Sequence, residues 1–237
     1  MMLLVNGMIA DTDISFYGGE TRIGSFRRQI FSTPIFVGNT DLDLARKAEK
    51  LALIFKNQTN KKESLVGEKW YEGAKSKDKN DFDKYGVTSF NSRNLAQEEK
   101  WQDIKWELEN VCKYMLKESI NQSIDISISN MWTTLYPEES FIPQHIHPNG
   151  EWSAVFYAKA EKNCGDIVWQ DPSWIAKTMN QSVKTALNNY HTTYQITPKT
   201  GVVILFPSFL PHQTRPNKSG EERIIISFNL SLVHENK

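Results

Sequence analysis

Five histidines occur in 237 residues, and three of them fall where they can share one ion. His145 and His147 sit two apart in Pro143-Gln144-His145-Ile146-His147-Pro148. In extended backbone, residues i and i+2 point to the same face, so two imidazoles at this spacing can chelate one metal; a helix at this spacing cannot do so. His212 follows Phe206-Pro207-Ser208-Phe209-Leu210-Pro211, just past the end of an apolar run. Two ligands close in sequence with a third from a remote strand is the layout of a facial metal triad on a double-stranded β-helix. Such a triad leaves coordination positions open. Spacing alone also fits plain surface histidines.

Arg223 adds a second group. It opens the run Arg223-Ile-Ile-Ile-Ser-Phe-Asn229. If that run is a strand, Ile224, Ile226 and Phe228 share one face, and Arg223, Ile225, Ser227 and Asn229 share the other. An arginine aimed into a barrel needs an anion, because an unpaired buried charge costs about several kcal/mol. A ligand carboxylate would meet that need with a bidentate contact. A structural salt bridge, or an arginine in solvent at the strand end, fits the same pattern.

The elements that must hold these groups follow from periodicity. From Ile124 onward the apolar period is two, with strand-like runs at Trp152–Ala158, Asp166–Gln170, Tyr194–Thr197, Gly201–Phe206 and Arg223–Leu232. Short strands at this density, punctuated by glycine and proline, predict a double antiparallel sheet of jelly-roll type. The first half reads as a strand over Ile30–Val37, a helix over Asp41–Lys56 with Thr40 as its N-cap, and a helix over Ala96–Ile120. The apolar stripe of that second helix, from Trp101 to Leu116, is core for packing on a sheet. Residues 57–94 read as a long irregular surface segment with isolated aromatics at Trp70, Tyr71, Phe82 and Tyr85. Residues 175–189 read as an insertion with room for a short helix. The expectation is one domain over 1–237: a mixed helical support and surface loop over 1–123, and a β-helix core with the metal site over 124–233.

Composition narrows the function classes. Lys+Arg and Asp+Glu both number 28, so the formal charge is zero and argues against a nucleic-acid partner. Two cysteines, Cys112 and Cys164, make neither a disulfide framework nor a four-thiolate zinc site; two reduced thiols fit the cytoplasm. No run reaches the ~18 apolar residues a membrane span needs.

At this point the chain resembles a known group. Met131-Trp132, His145-Ile146-His147-Pro148-Asn149, Trp152-Ser153-Ala154-Val155-Phe156-Tyr157 and Gly165-Asp166-Ile167-Val168 carry the likeness. So do Asp171-Pro172, Gly201 to Ser208, His212, Pro216-Asn217 and Arg223 to Asn229, while Phe31 to Phe36 resembles an opening strand. Together they are similar to the Fe(II)/2-oxoglutarate-dependent oxygenases on the prolyl-hydroxylase-like side, and to a family of them found in bacteria and phages. The resemblance implies a mainly β fold with flanking helices, a cupin-like double-stranded β-helix. It implies Fe(II) as metal, 2-oxoglutarate as co-substrate and molecular oxygen as partner. The implied enzyme is a dioxygenase that splits 2-oxoglutarate to succinate and carbon dioxide while hydroxylating an unidentified peptide side chain, such as proline, or a small molecule.

Residue by residue, His145 and His212 match the two ligand histidines, and Arg223 matches the base that holds the far carboxylate of 2-oxoglutarate. The superfamily usually has Asp or Glu where this chain has His147. His145, His147 and His212 together make a three-histidine site; the alternatives are His147 as first ligand with Asn149 or water in third place, or an inactive site. With three neutral ligands, zinc and other divalent ions also become credible. Thr134 and Tyr136 fall on a strand that contacts 2-oxoglutarate in related oxygenases, and Ser227 lies on the Arg223 face; Arg215 is a rival anchor. The competing reading is a non-catalytic cupin-like metal binder or structural jelly roll.

Overall fold

The computed structural model describes residues 33–58, 86–117, 124–148, 150–175 and 192–234. Nine strands and two helices alternate there: β1 (Phe36–Asn39), α1 (Leu42–Gln58), β2 (Val87–Thr88), α2 (Gln102–Leu116), β3 (Ile124–Tyr136), β4 (Trp152–Lys159), β5 (Ile167–Gln170), β6 (Thr193–Ile196), β7 (Val202–Pro207), β8 (His212–Thr214) and β9 (Arg223–His234). The strands form a six-stranded sheet in the order β1-β7-β4-β9-β3-β2 and a three-stranded sheet in the order β6-β5-β8, all pairs antiparallel. This is the expected double-stranded β-helix.

Two cores follow from strand alternation. Ile224, Ile226, Phe228 and Leu230 of β9 turn outward and bury against Ala45, Ala48, Ala52 and Phe55 of α1 and Ile104, Leu108, Cys112 and Leu116 of α2. Ile225 turns the other way and packs with Val155, Tyr157, Ile204 and Phe206 against Ile167 and Trp169 of the smaller sheet. Both β9 faces are therefore as the period-two reading expects.

β3 departs from simple alternation. Its register to β9 shifts between Ile128 and Asn130, the mark of a β-bulge. Before the bulge the even residues Ile126 and Ile128 face the helices; after it the odd residues Met131 and Leu135 do. The bulge thus sends Trp132, Thr134 and Tyr136 to the inner face. Asn94 pins it with one side chain: Nδ2 donates to the Ser129 carbonyl (2.9 Å) and to Asn130 Oδ1 (3.2 Å), and Oδ1 accepts from the Met131 N–H (3.0 Å) and the Ala96 N–H (3.1 Å).

Several element boundaries move. The first strand begins at Phe36, not Ile30; residues 33–35 are irregular and 30–32 lie outside the described residues. Thr40 does not cap α1: its hydroxyl donates to the Gly201 and Asp41 carbonyls, and Asp41 Oδ1 accepts from the Asp43 N–H instead. The expected helix from Ala96 is split, with two short 3₁₀ turns (Leu95–Gln97 and Glu99–Trp101) before α2. His212 lies past the end of β7, as expected, and opens a short strand of its own, β8. The 57–94 segment contains β2, paired to β3, while Trp70, Tyr71, Phe82, Tyr85 and most of the 175–189 insertion lie outside the described residues. Both cysteines are buried free thiols. Among the described residues no helix is long and apolar enough to cross a membrane.

Candidate functional site

His145 and His212 meet through the backbone. Each donates its N–H to the other's carbonyl (2.9 and 3.0 Å), an isolated antiparallel bridge at the β8 edge of the smaller sheet. Their rings lie 4.2 Å apart between centroids. His147, two residues on and on the same side, stands 5.3 Å from His145 and 5.2 Å from His212. One ring nitrogen from each lies within 4.8 Å of the other two. The structure thus brings together the three histidines that the spacing singled out.

Their tautomers are set by their neighbours. His145 Nδ1 donates to the Pro143 carbonyl and His212 Nδ1 to the Leu210 carbonyl, both at 2.9 Å; His147 Nδ1 donates to Asn229 Oδ1 at 2.8 Å. An amide or peptide oxygen only accepts, so Nδ1 carries the proton in each ring and Nε2 is the nitrogen that could hold a metal. Burial also keeps the rings neutral. It draws His145 down to about 4 and His212 well below the usual imidazole range, with charge repulsion among the three histidines adding to the effect; burial lowers His147 too, against the pull of its bond to Asn229. Three neutral, convergent imidazoles suit a divalent transition ion.

Arg223 is 1% exposed at the start of β9, opposite Tyr136 in the β3 register. Nη1 donates to the Cys164, Gly165 and Arg215 carbonyls (2.7, 3.3 and 3.4 Å), and Nη2 donates to Thr214 Oγ1 (3.1 Å). The carbonyl cradle depends on Gly165, whose φ is +91° and where a Cβ would fall 2.2 Å from the Arg215 carbonyl oxygen. The guanidinium lies 4.3 Å from the Tyr136 ring centroid. Among the described residues no acid forms a salt bridge with it. Nε is buried without a hydrogen-bond partner. Of the five guanidinium N–H groups, Nε–H and one on Nη2 therefore stay unused, on the edge that takes a carboxylate side-on. The salt-bridge alternative falls away, and so does Arg215: its side chain is exposed and donates to Gln195 Oε1.

A recess of about 50 Å³ links the two groups, lined by all three histidines, Arg223, Tyr136 and Ser227. It shares Trp132, Tyr136, His145 and His147 with an outer bowl of about 360 Å³, whose wall includes Thr134, Phe90, Asn130 and Asn229. Burial pushes the Tyr136 phenol up, against the opposing pulls of Arg223 and Thr134, so it stays an O–H donor. Thr134 Oγ1 is hydrogen-bonded to Thr88 Oγ1 at 2.9 Å. Three polar residues at the site were given no role in the sequence: Ser153, Ser208, which lacked an evident acid–base relay, and Asn229, which was placed only on the Arg223 face. Their one signal is polarity inside apolar strand runs. Asn149 lies outside the described residues.

Residues 130–229 match the family described as "Putative 2OG-Fe(II) oxygenase". Among solved structures, a prolyl-4-hydroxylase from Pseudomonas putida is similar at 14% identity over 84% of this chain and 93% of that one, with a TM-score of 0.53. HygX from Streptomyces hygroscopicus, solved with nickel and 2-oxoglutarate bound, is similar at 11% identity over 84% and 82%, with a TM-score of 0.52. An oxidoreductase of the 2OG-Fe(II) oxygenase family from Burkholderia pseudomallei matches at 14% identity over 57% of this chain, with a TM-score of 0.43; this chain spans 59% of its length. No curated protein matches the chain in sequence. The first two of these likenesses carry the fold, and the family match covers the stretch that holds His145, His147, His212 and Arg223. Residues 130–229, less than half of the chain, are thus similar to the 2OG-Fe(II) oxygenases, and the fold agrees with that likeness.

Proposed function

We propose that the protein is an Fe(II)- and 2-oxoglutarate-dependent dioxygenase that hydroxylates a substrate seated in the outer bowl. One observation supports this reading: three clustered histidines and a buried arginine whose Nε lacks a hydrogen-bond partner line the same recess. In it, His145, His147 and His212 hold the metal, and Arg223 holds the distal carboxylate of 2-oxoglutarate. Tyr136 donates its phenolic proton toward that carboxylate, Thr134 steadies the Tyr136 side of the pocket, and Ser227 offers a further hydroxyl in the recess. With both cofactors bound, the superfamily's chemistry turns 2-oxoglutarate and oxygen into succinate and carbon dioxide and places one oxygen atom in a C–H bond.

The chain's own contribution is orientation and dryness. Carbonyl oxygens hold Arg223 from one side and leave the other for the ligand. Phe206 packs edge-on against His212 at 4.6 Å and excludes water from the back of the site. The bowl's described walls are apolar and amide-bearing, with Phe90, Trp132, Ile142 and Ile146 beside Asn91 and Asn130, and no acid or lysine. That favours an uncharged C–H-bearing group, either a peptide side chain such as proline or a neutral small molecule. Two buried thiols favour a reducing compartment such as the cytoplasm.

The test is anaerobic. Fe(II) followed by 2-oxoglutarate should raise a weak visible charge-transfer band, and admission of air should yield succinate. Absence of the band, together with no succinate under any divalent metal, would sink the reading and leave a metal-binding jelly roll.

A further inference from the structure

His147 stands where the superfamily usually carries a carboxylate, and its ring rests on a buried polar cluster that metal ligation by itself does not require. Ser153 on β4 and Asn229 on β9 are direct register partners. Asn229 Oδ1 accepts from His147 Nδ1 (2.8 Å) and from the Ser153 hydroxyl (3.0 Å). Ser153 Oγ also lies 2.8 Å from His147 Nδ1 and 2.7 Å from Ser208 Oγ. Ser153 and Ser208 are both fully buried. Two hydroxyls at such depth cost desolvation that alanines would avoid, so their bonds to one another and to the ring need a reason. Gly150 makes room for them: a Cβ there would lie 2.7 Å from Ser208 Oγ.

We propose that Asn229 and Ser153, braced by Ser208, are positioning residues that fix His147 as a neutral Nδ1–H imidazole and so let a histidine serve as third ligand. The proposal rests on the three-histidine metal reading. An amide oxygen is the acceptor suited to this task. It holds the proton on Nδ1 and orients the ring without adding a negative charge beneath it, whereas a carboxylate there would make the ligand more basic. Ser208 holds Ser153, and Ser153 holds Asn229 with its oxygen toward the ring. The chain thus steers a neutral ligand through three neutral groups.

Co(II), added alone to the full chain without air, tests this through its visible ligand-field bands. Asn229→Ala should weaken Co(II) binding about 10- to 100-fold, the usual effect of losing a group that orients a ligand. Asn229→Asp, which keeps an acceptor at the same place, should bind at least as tightly as the wild type. Gly150→Ala displaces Ser208 without removing any atom bonded to His147, and it should weaken binding in the same direction as Ser153→Ala. The decisive comparison is in a His147→Ala background, where Asn229→Ala should have no further effect. A purely structural role would instead give the same loss in both backgrounds, and that result overturns the proposal. Wild-type affinity in Asn229→Ala, with binding weakened in His147→Ala, overturns the positioning role alone. Equal Co(II) affinity in His147→Ala and wild type overturns the ligand assignment beneath it.

Discussion

Arg223 is a full charge buried beside peptide carbonyls and without an opposing acid among the described residues. Removing such a charge relieves a desolvation cost that carbonyl dipoles only partly offset. Arg223→Met should therefore fold with a melting temperature equal to or above the wild type, while 2-oxoglutarate binding, followed by calorimetry, falls at least about 100-fold, as expected for a lost charge-assisted bidentate contact. A folded variant with wild-type affinity would remove Arg223 from its role. The histidines and Arg223 could be singled out because a His-x-His pair in extended backbone and an arginine opening an apolar strand run stand out from their surroundings, although each pattern also fitted a structural role. Asn229, Ser153 and Ser208 could not. They are common residue types, and what joins them is the register of β4 on β9 and β7, which pairs positions more than 50 residues apart.

At the scale of elements, the fold depends on pieces that look like loop. Asn94 is half-buried within a stretch whose composition reads as irregular, yet it makes four hydrogen bonds across the β3 bulge and the first 3₁₀ turn. Asn94→Ala should cost about 2 kcal/mol in denaturant unfolding, from several net bonds of about 0.5–1.5 kcal/mol each with partial rescue by water. It should also weaken 2-oxoglutarate binding, since Thr134 and Tyr136 lie just beyond the bulge. The long strands and the α2 stripe could be read from period, because each buries one face continuously. β2 and β8 could not: two- and three-residue strands have no period, and only pairing with β3 and β5 defines them. The helix break before α2 was equally hidden, since Leu95, Ala96 and Trp101 are buried at spacings a helix also allows.

For the whole molecule, the site sits where two sheets meet and so reports on their assembly. Ligands that bind only the folded chain raise its stability by about 2.7 kcal/mol at one hundred times Kd. Saturating Fe(II) with 2-oxoglutarate should thus raise the anaerobic melting temperature, a chelator should return it to the apo value, and Arg223→Met should respond to the metal alone. Acid acts in the opposite direction. All three histidines titrate lower in the fold than the ~6.5 of an unfolded chain. Below that value the unfolded chain takes up protons that the fold refuses, so the contribution is complete above about pH 6.5 and is lost as pH drops toward the about 4 of His145. Melting temperature of the apo protein should fall between pH 7 and pH 5, and His212→Asn should flatten that slope; an unchanged slope would show that other groups govern it.

The bulge in β3 also makes the strand sensitive to odd and even changes of length. Its first half, Ile124–Ile128, and its second half, Met131–Tyr136, run in opposite phase, and the extra residue between them is what reconciles a helix-facing wall with a site-facing one. Deleting Ser129 together with Asn130 would turn Trp132, Thr134 and Tyr136 toward α1 and α2 and present Met131 and Leu135 to the recess. Core and site would fail together. Deleting Ser129 alone removes only the extra residue and sets Ile128 and Asn130 in unbroken register with Leu230 and Asn229, so the smaller deletion should leave the more soluble protein and the better 2-oxoglutarate binder.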